Sequence, residues 1–222
     1  MFVKYEKLYN KKKKILYPSE FIVRLFLGRK NEKFIPKSKN ILLDLSFGDG
    51  RNTIFFKENN FDVYGTEVSN KIIKQFFKNF PIFKKDKDKF KVGFSSNIPF
   101  MNNFFDIIIA YNSCYYLLKN EKFEDNLKEI KSKLKKSGMF ICTIPTLDTY
   151  YFAKSKKIKN DIYKITSDPL NLRNNFHLYG ISSIDRTSEI ISKNFKIIKK
   201  GYYCHDFSDL KEAGYYFILK NN

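Results

Sequence analysis

From residue 40 to residue 146 short apolar runs alternate with amphipathic ones, and this rhythm leaves the chain few architectures to choose from. NILLDLSF (40–47) is a nearly continuous apolar run of strand length, of the kind a parallel strand covered on both faces shows. It leads directly into GDGRNTIFFKENN, a helix candidate. FDVYGTEV (61–68) reads as a second strand, SNKIIKQFFKNF (69–80) as a helix capped by Ser69, FKVGFSS (90–96) as a third strand and FFDIIIAYN (104–112) as a fourth. NLKEIKSKLKKSG (126–138) predicts a helix closed by Gly138, and GMFICTIPT (138–146) a fifth strand. Alternating units of this size imply an α/β fold, with a parallel sheet, right-handed crossovers and helices on both faces.

The flanks complete this layout. PSEFIVRLFLGRK (18–30) predicts a short amphipathic helix that stops at Gly28, preceded by a basic arm. The Asn- and Tyr-rich stretch 147–180 breaks the rhythm and reads as a lid or insertion beside the sheet. RTSEIISKNF (186–195) predicts a final helix. FKIIKKGYYCH (195–205) and AGYYFILKN (213–221) read as strands that HDFSDLKE joins into an antiparallel edge pair. With 222 residues, 43% of them hydrophobic, one folded domain is expected. Its parts would be an arm and helix (1–35), a ligand-binding core (36–146), a substrate lid or insertion (147–185), and the last helix with the edge strands (186–222).

Glycines where a strand becomes a helix allow a tight turn and a close approach of a ligand to the helix N-terminus. Gly48 and Gly50 stand at such a point, in LDLSFGDGRN. Glu67, at the tip of the second strand, follows Gly48 by 19 positions (67 minus 48), about the offset at which a carboxylate reaches a ribose diol in nucleoside-binding α/β folds. A dinucleotide fingerprint would need a third glycine where Thr53 stands, so a ligand without a pyrophosphate is expected.

LDLSFGDGRN resembles the first motif of the class I S-adenosylmethionine-dependent methyltransferases, an acidic residue followed by spaced glycines. The resemblance continues in order through VYGTEVS (63–69), SSNIPFMNNFFDIIIAYNSCYYL (95–117) and NLKEIKSKLKKSGMFICTIP (126–145), and covers residues 15–146. It implies a Rossmann-like, seven-stranded, mostly parallel sheet with an antiparallel edge strand, and S-adenosyl-L-methionine as cofactor. By the same resemblance Asp44 would hold the glycine loop and the methionyl ammonium, Gly48 and Gly50 would permit close approach, and Glu67 would bind the ribose hydroxyls. Val68 would pack on the adenine face, Ser95 and Ser96 would border its edge, and Tyr111 and Asn112 would lie under the methionyl moiety. Asn52 joins this set, and Tyr17 would close over the cofactor. Two positions depart from the pattern: Ser46 replaces the usual first glycine, which requires a backbone that avoids strongly positive φ, and Phe94 stands where an acidic residue is usual.

The acceptor is less constrained. Methyl transfer from a sulfonium is an in-line displacement, so alignment matters most, although a hydroxyl nucleophile also needs a proton acceptor. His177 and Tyr116 are the catalytic candidates; packing behind the fourth strand is the other reading for Tyr116. The segment after the fifth strand reads TIPT, not the N/D-P-P-Y/F tetrapeptide of amino-methylating nucleic-acid enzymes, which favours a small-molecule acceptor. The net charge of +19 makes an anionic acceptor attractive, such as a phosphorylated or nucleotide-linked sugar intermediate of carbohydrate biosynthesis. The alternatives are an RNA methyltransferase that uses its basic surface and a non-catalytic cofactor-binding scaffold. Three dispersed cysteines without C-x-x-C spacing imply neither disulfides nor a metal site, and with no signal-like or membrane-length apolar segment a cytoplasmic location is expected.

Overall fold

The computed structural model describes residues 2–10, 16–28 and 40–222; the basic run at 11–14 lies outside them. The chain begins with α1 (Val3–Tyr9) and α2 (Glu20–Leu27), then enters the sheet at β1 (Ile41–Leu45). α3 (Arg51–Glu58), β2 (Asp62–Glu67), α4 (Asn70–Asn79), β3 (Phe90–Val92), β4 (Phe105–Ala110) and the two-residue β5 (Tyr116–Leu117) follow. Next come α5 (Phe123–Lys133), β6 (Leu134–Pro145), β7 (Ser155–Lys159), β8 (Ile162–Ile165) and β9 (His177–Tyr179). α6 (Ile184–Ser192) and the hairpin β10 (Lys196–Phe207) and β11 (Leu210–Lys220) end the fold.

Seven strands form the main sheet in the order β10-β11-β6-β4-β1-β2-β3. β1, β2, β3, β4 and β6 pair in parallel, and β11 runs antiparallel to both β6 and β10. Side chains alternate across the sheet, as the two-residue period of a strand demands. Leu42, Ile107, Ile109 and Ile141 pack against Ile22 and Phe26 of α2 and Phe55 and Phe56 of α3. Leu43, Leu45, Ile108 and Phe140 face the other way, onto Phe123, Leu127 and Ile130 of α5. Strands sandwiched on both faces explain why the sequence shows apolar runs instead of alternation.

Several boundaries differ from those the sequence suggests. The helix expected to run to Gly138 ends at Lys133, and β6 already begins at Leu134. Leu134 is fully buried, so burial outweighs the helix propensity of the lysines that follow it. The edge hairpin is tighter than expected: β10 and β11 extend to Phe207 and Leu210, so that Ser208 and Asp209 alone form the turn. Both take positive φ, 51° and 62°, the conformation a twisted two-residue hairpin turn needs. The stretch after β6 is not poor in elements. β5, β9, β8 and β7 form a second, four-stranded sheet in that order. Ser69 caps α4 as expected, its hydroxyl accepting from the amide of Lys71.

Candidate active site

The parallel strands end on one side of the sheet, and there the β1–α3 loop opens a cavity of about 260 Å³. Open α/β sheets bind ligands at this edge. Between β1 and α3 the backbone turns into the left-handed region three times, at Ser46 (φ 61°), Gly48 (φ 62°) and Gly50 (φ 87°). Ser46 therefore does what a glycine would do, and the expectation that it avoids strongly positive φ is wrong. Thr66 holds it there: its hydroxyl lies 3.4 Å from the Ser46 amide, and its carbonyl accepts from Phe47. At Gly50 a Cβ would stand 2.5 Å from the ring of Phe76, so packing as well as φ demands glycine.

Glu67 closes the loop from below. Its Oε1 accepts from the amide of Gly48 at 2.7 Å and its Oε2 from the amide of Val68 at 2.8 Å. The side chain is buried, which raises its pKa to about 7 against the two amide bonds that favour the carboxylate. Asp44 behaves alike. Burial raises it to about 7, offset in part by the 2.7 Å bond from the Thr53 hydroxyl, and the charges of Glu67 and Asp49 push in the same direction as burial. Each Glu67 oxygen uses one acceptor position on the loop and retains another that faces the cavity, which suits a vicinal diol.

On the β4 side, the loop 111–116 is braced from behind. The Asn112 amide donates to the Thr143 hydroxyl at 2.8 Å, the Ser113 hydroxyl donates to the carbonyl of Leu45, and the buried Asn126 amide donates to the carbonyls of Cys114 and Tyr116. Next to it the Ser96 hydroxyl donates to Glu121, whose other oxygen accepts from the Leu118 amide.

Asp44, Ser46, Gly48, Asn52, Glu67, Val68, Ser95, Ser96, Tyr111, Asn112 and Tyr116 all line this one cavity. Gly50 lies just behind it as the N-terminal cap of α3. Tyr17 does not close the cavity: it is 75% exposed and is not among the lining residues. Phe2, Tyr5 and Tyr9 of the first segment line the cavity, and the Tyr9 hydroxyl would be 3.1 Å from a Cβ on Gly48. α1 is moored by Glu6, which accepts from Ser69 and pairs with Lys71, and by the Tyr5 hydroxyl, 2.7 Å from that of Tyr116. The spacing of Phe2, Tyr5 and Tyr9 is that of one helix face, a signal hidden among the charged residues of the arm. His177 also misses the cavity. It lies on β9 opposite Leu117 and Lys164, where burial and the neighbouring Lys164 and Lys119 lower its pKa. In its place the insertion contributes Arg173 and Phe176, which sequence periodicity does not single out.

Strand order, the glycine loop and the buried carboxylate at the tip of β2 define a Rossmann-like α/β fold with its cavity at the carboxyl ends of the parallel strands. Residues 43–142 match the family model described as "Methyltransferase domain". No curated protein sequence matches the chain. Among solved structures, a SAM-dependent methyltransferase from Methanosarcina mazei superposes with a TM-score of 0.65 at 13% identity, over 84% of this chain and 94% of that one. The N-methyltransferase NodS from Bradyrhizobium japonicum WM9, in complex with S-adenosyl-l-homocysteine, gives 0.62 at 12% identity, covering 99% and 97%. A SAM-dependent methyltransferase from Thermotoga maritima gives 0.59 at 15%, covering 100% of each chain. The chain thus shares the fold of these SAM-dependent methyltransferases, and the family-model match spans its residues 43–142. Among the described residues no helix is long and apolar enough to cross a membrane.

Proposed function

We propose that this cavity binds S-adenosylmethionine through the residues named above and transfers its methyl group to nitrogen or oxygen of a small, anionic acceptor, of which a phosphorylated or nucleotide-linked sugar is one example. The observation that carries the reading is Glu67. A buried carboxylate at the tip of β2, fixed by the glycine-loop amide and still able to accept, fits a ribose diol.

In this reading Asp44 faces the methionyl ammonium, Val68 packs on the adenine, and Ser95 and Ser96 meet its edge. Asn112, locked in a left-handed conformation (φ 55°), presents its backbone to the methionyl part. The cofactor supplies a methyl group on a sulfonium, already activated for displacement. What this chain adds is alignment and exclusion of water, which α1 provides by laying Tyr5 and Tyr9 over the opening. The Tyr116 hydroxyl lines the same cavity, and in this reading it would take the proton of a hydroxyl acceptor. The preference for an anionic acceptor is supported by the net charge of +19.

Calorimetric titration with S-adenosylhomocysteine tests the reading. Binding that Glu67→Ala weakens at least tenfold, about 1.4 kcal/mol, supports it. Equal affinity in the two proteins refutes it.

A further inference from the structure

The insertion brings one guanidinium into the cavity, and its surroundings are built rather than incidental. Asp168, whose side chain is fully buried, accepts from the amides of Leu170, Leu172 and Arg173 and from Nη1 of Arg173. The loop 168–173 is therefore wound around one carboxylate, and that loop aims Arg173. The Arg173 side chain is only 12% exposed. Its Cζ lies 4.3 Å from the ring centre of Tyr151, Nε donates to the Tyr116 hydroxyl at 3.1 Å, and Nη1 donates to the Tyr150 hydroxyl at 2.9 Å. Among the described residues Nη2 makes no hydrogen bond, and Arg173 lines the cavity beside Tyr116 and Phe176.

The other charges of the cavity are disposed differently. Asp44 and Glu67 lie at the glycine loop, Arg51 is taken up in a two-point contact with Asp49, and Glu121 is bonded by Ser96 and the Leu118 amide. Acidic groups thus gather where a cationic cofactor would lie. Among the described residues that line the cavity, Arg173 is the charged group beside Tyr5, Tyr116 and Phe176. The Asp168 charge is already shared among three amides, and with Nε and Nη1 engaged, Nη2 is the guanidinium nitrogen left with donors to offer beside the aromatic wall of the cavity. The two N–H donors of a buried, charged guanidinium nitrogen suit an oxyanion, planar or tetrahedral.

We propose that Arg173 binds a carboxylate or phosphate on the methyl acceptor and thereby seats the acceptor's nucleophile against the cofactor, with Tyr5, Tyr116 and Phe176 flanking its apolar part. The inference rests on the methyltransferase reading of the same cavity and specifies which chemical group the acceptor carries. In this proposal Arg173 serves the acceptor and not the cofactor's own carboxylate, so S-adenosylhomocysteine affinity should not depend on it.

The test uses the full chain loaded with S-adenosylhomocysteine and titrated with benzoate, phenyl phosphate and the neutral isostere benzamide. At least one anion should bind tenfold or more tightly than benzamide, and which of the two wins tells carboxylate from phosphate. Arg173→Gln should remove that preference while S-adenosylhomocysteine binds within threefold of the parent, and Arg173→Lys should restore part of it. Benzamide equal to both anions in the parent protein overturns the proposal without any variant. So does a preference that survives in Arg173→Gln. Failure of the parent to bind S-adenosylhomocysteine sinks the methyltransferase reading itself, which separates the two claims.

Discussion

Replacing Asp44 by asparagine should make the ligand-free protein more stable at pH 8 and worse at holding its cofactor. Burial lifts the Asp44 carboxyl from an ordinary 3.8 to about 7. Between those values the folded protein holds a proton that the unfolded chain releases, so stability falls as pH rises until the folded carboxyl ionises near 7. From pH 5 to pH 7 that is two units, at about 1.4 kcal/mol each, so Asp44 removes roughly 2 to 3 kcal/mol between pH 5 and pH 8. The Asp44→Asn side chain would keep an acceptor for the Thr53 hydroxyl, which donates at 2.7 Å, while carrying no charge. The advantage of the variant should therefore grow by about 2 to 3 kcal/mol from pH 5 to pH 8. Urea denaturation of both proteins at the two pH values measures it. Calorimetry at pH 8 should show the opposite order for S-adenosylmethionine, whose ammonium loses its counter-charge. A stability difference that is the same at pH 5 and pH 8 would refute the electrostatic account of this residue.

Other consequences follow from the same contacts. Gly50→Ala combines a φ of 87° with a Cβ placed 2.5 Å from the Phe76 ring, and should cost about 2 to 4 kcal/mol in denaturant midpoint measurements. Asn126→Leu leaves the carbonyls of Cys114 and Tyr116 without their side-chain donor and should destabilise the protein by about 2 kcal/mol or more, while also weakening S-adenosylhomocysteine binding in calorimetry. Deleting residues 2–10 removes the ring of Tyr9 from the glycine loop and the Tyr5–Tyr116 contact. S-adenosylhomocysteine should then dissociate at least tenfold faster in a stopped-flow displacement, and an unchanged rate would show that α1 is no barrier to exit.

Strands β1, β2, β4 and β6 were legible because they are largely buried on both faces and so stand out as apolar runs. Asp44, the two loop glycines and Glu67 were legible because the turn from β1 into α3 and the tip of β2 stand at fixed sequence offsets. Ser46 was misread for a physical reason. A serine in the left-handed region carries a cost of about 1 to 2 kcal/mol, which sequence reasoning treats as forbidding and the bonds around Thr66 offset. The second sheet escaped notice because its strands are short and one of them, β7, is exposed along most of its length, so no hydrophobic pattern marks it. Arg173 and Tyr5 reach the cavity through tertiary contacts alone. Tyr17 and His177, the tyrosine beside α2 and the histidine in the insertion, had the right residue types but the wrong places.

The two ends of the insertion meet. β6 finishes at Pro145, whose carbonyl accepts from the amide of Ile181 at 2.8 Å, and Thr146 forms a parallel bridge with Ile181. The 34 residues between them (147 to 180) leave the sheet and return to it at neighbouring points, as a domain inserted in a loop does. Such a segment is an exchangeable cassette. A different stretch with the same closely spaced ends could be grafted there with Asp44, Gly48 and Glu67 left in place, which under the proposed function would change only the recipient of the methyl group.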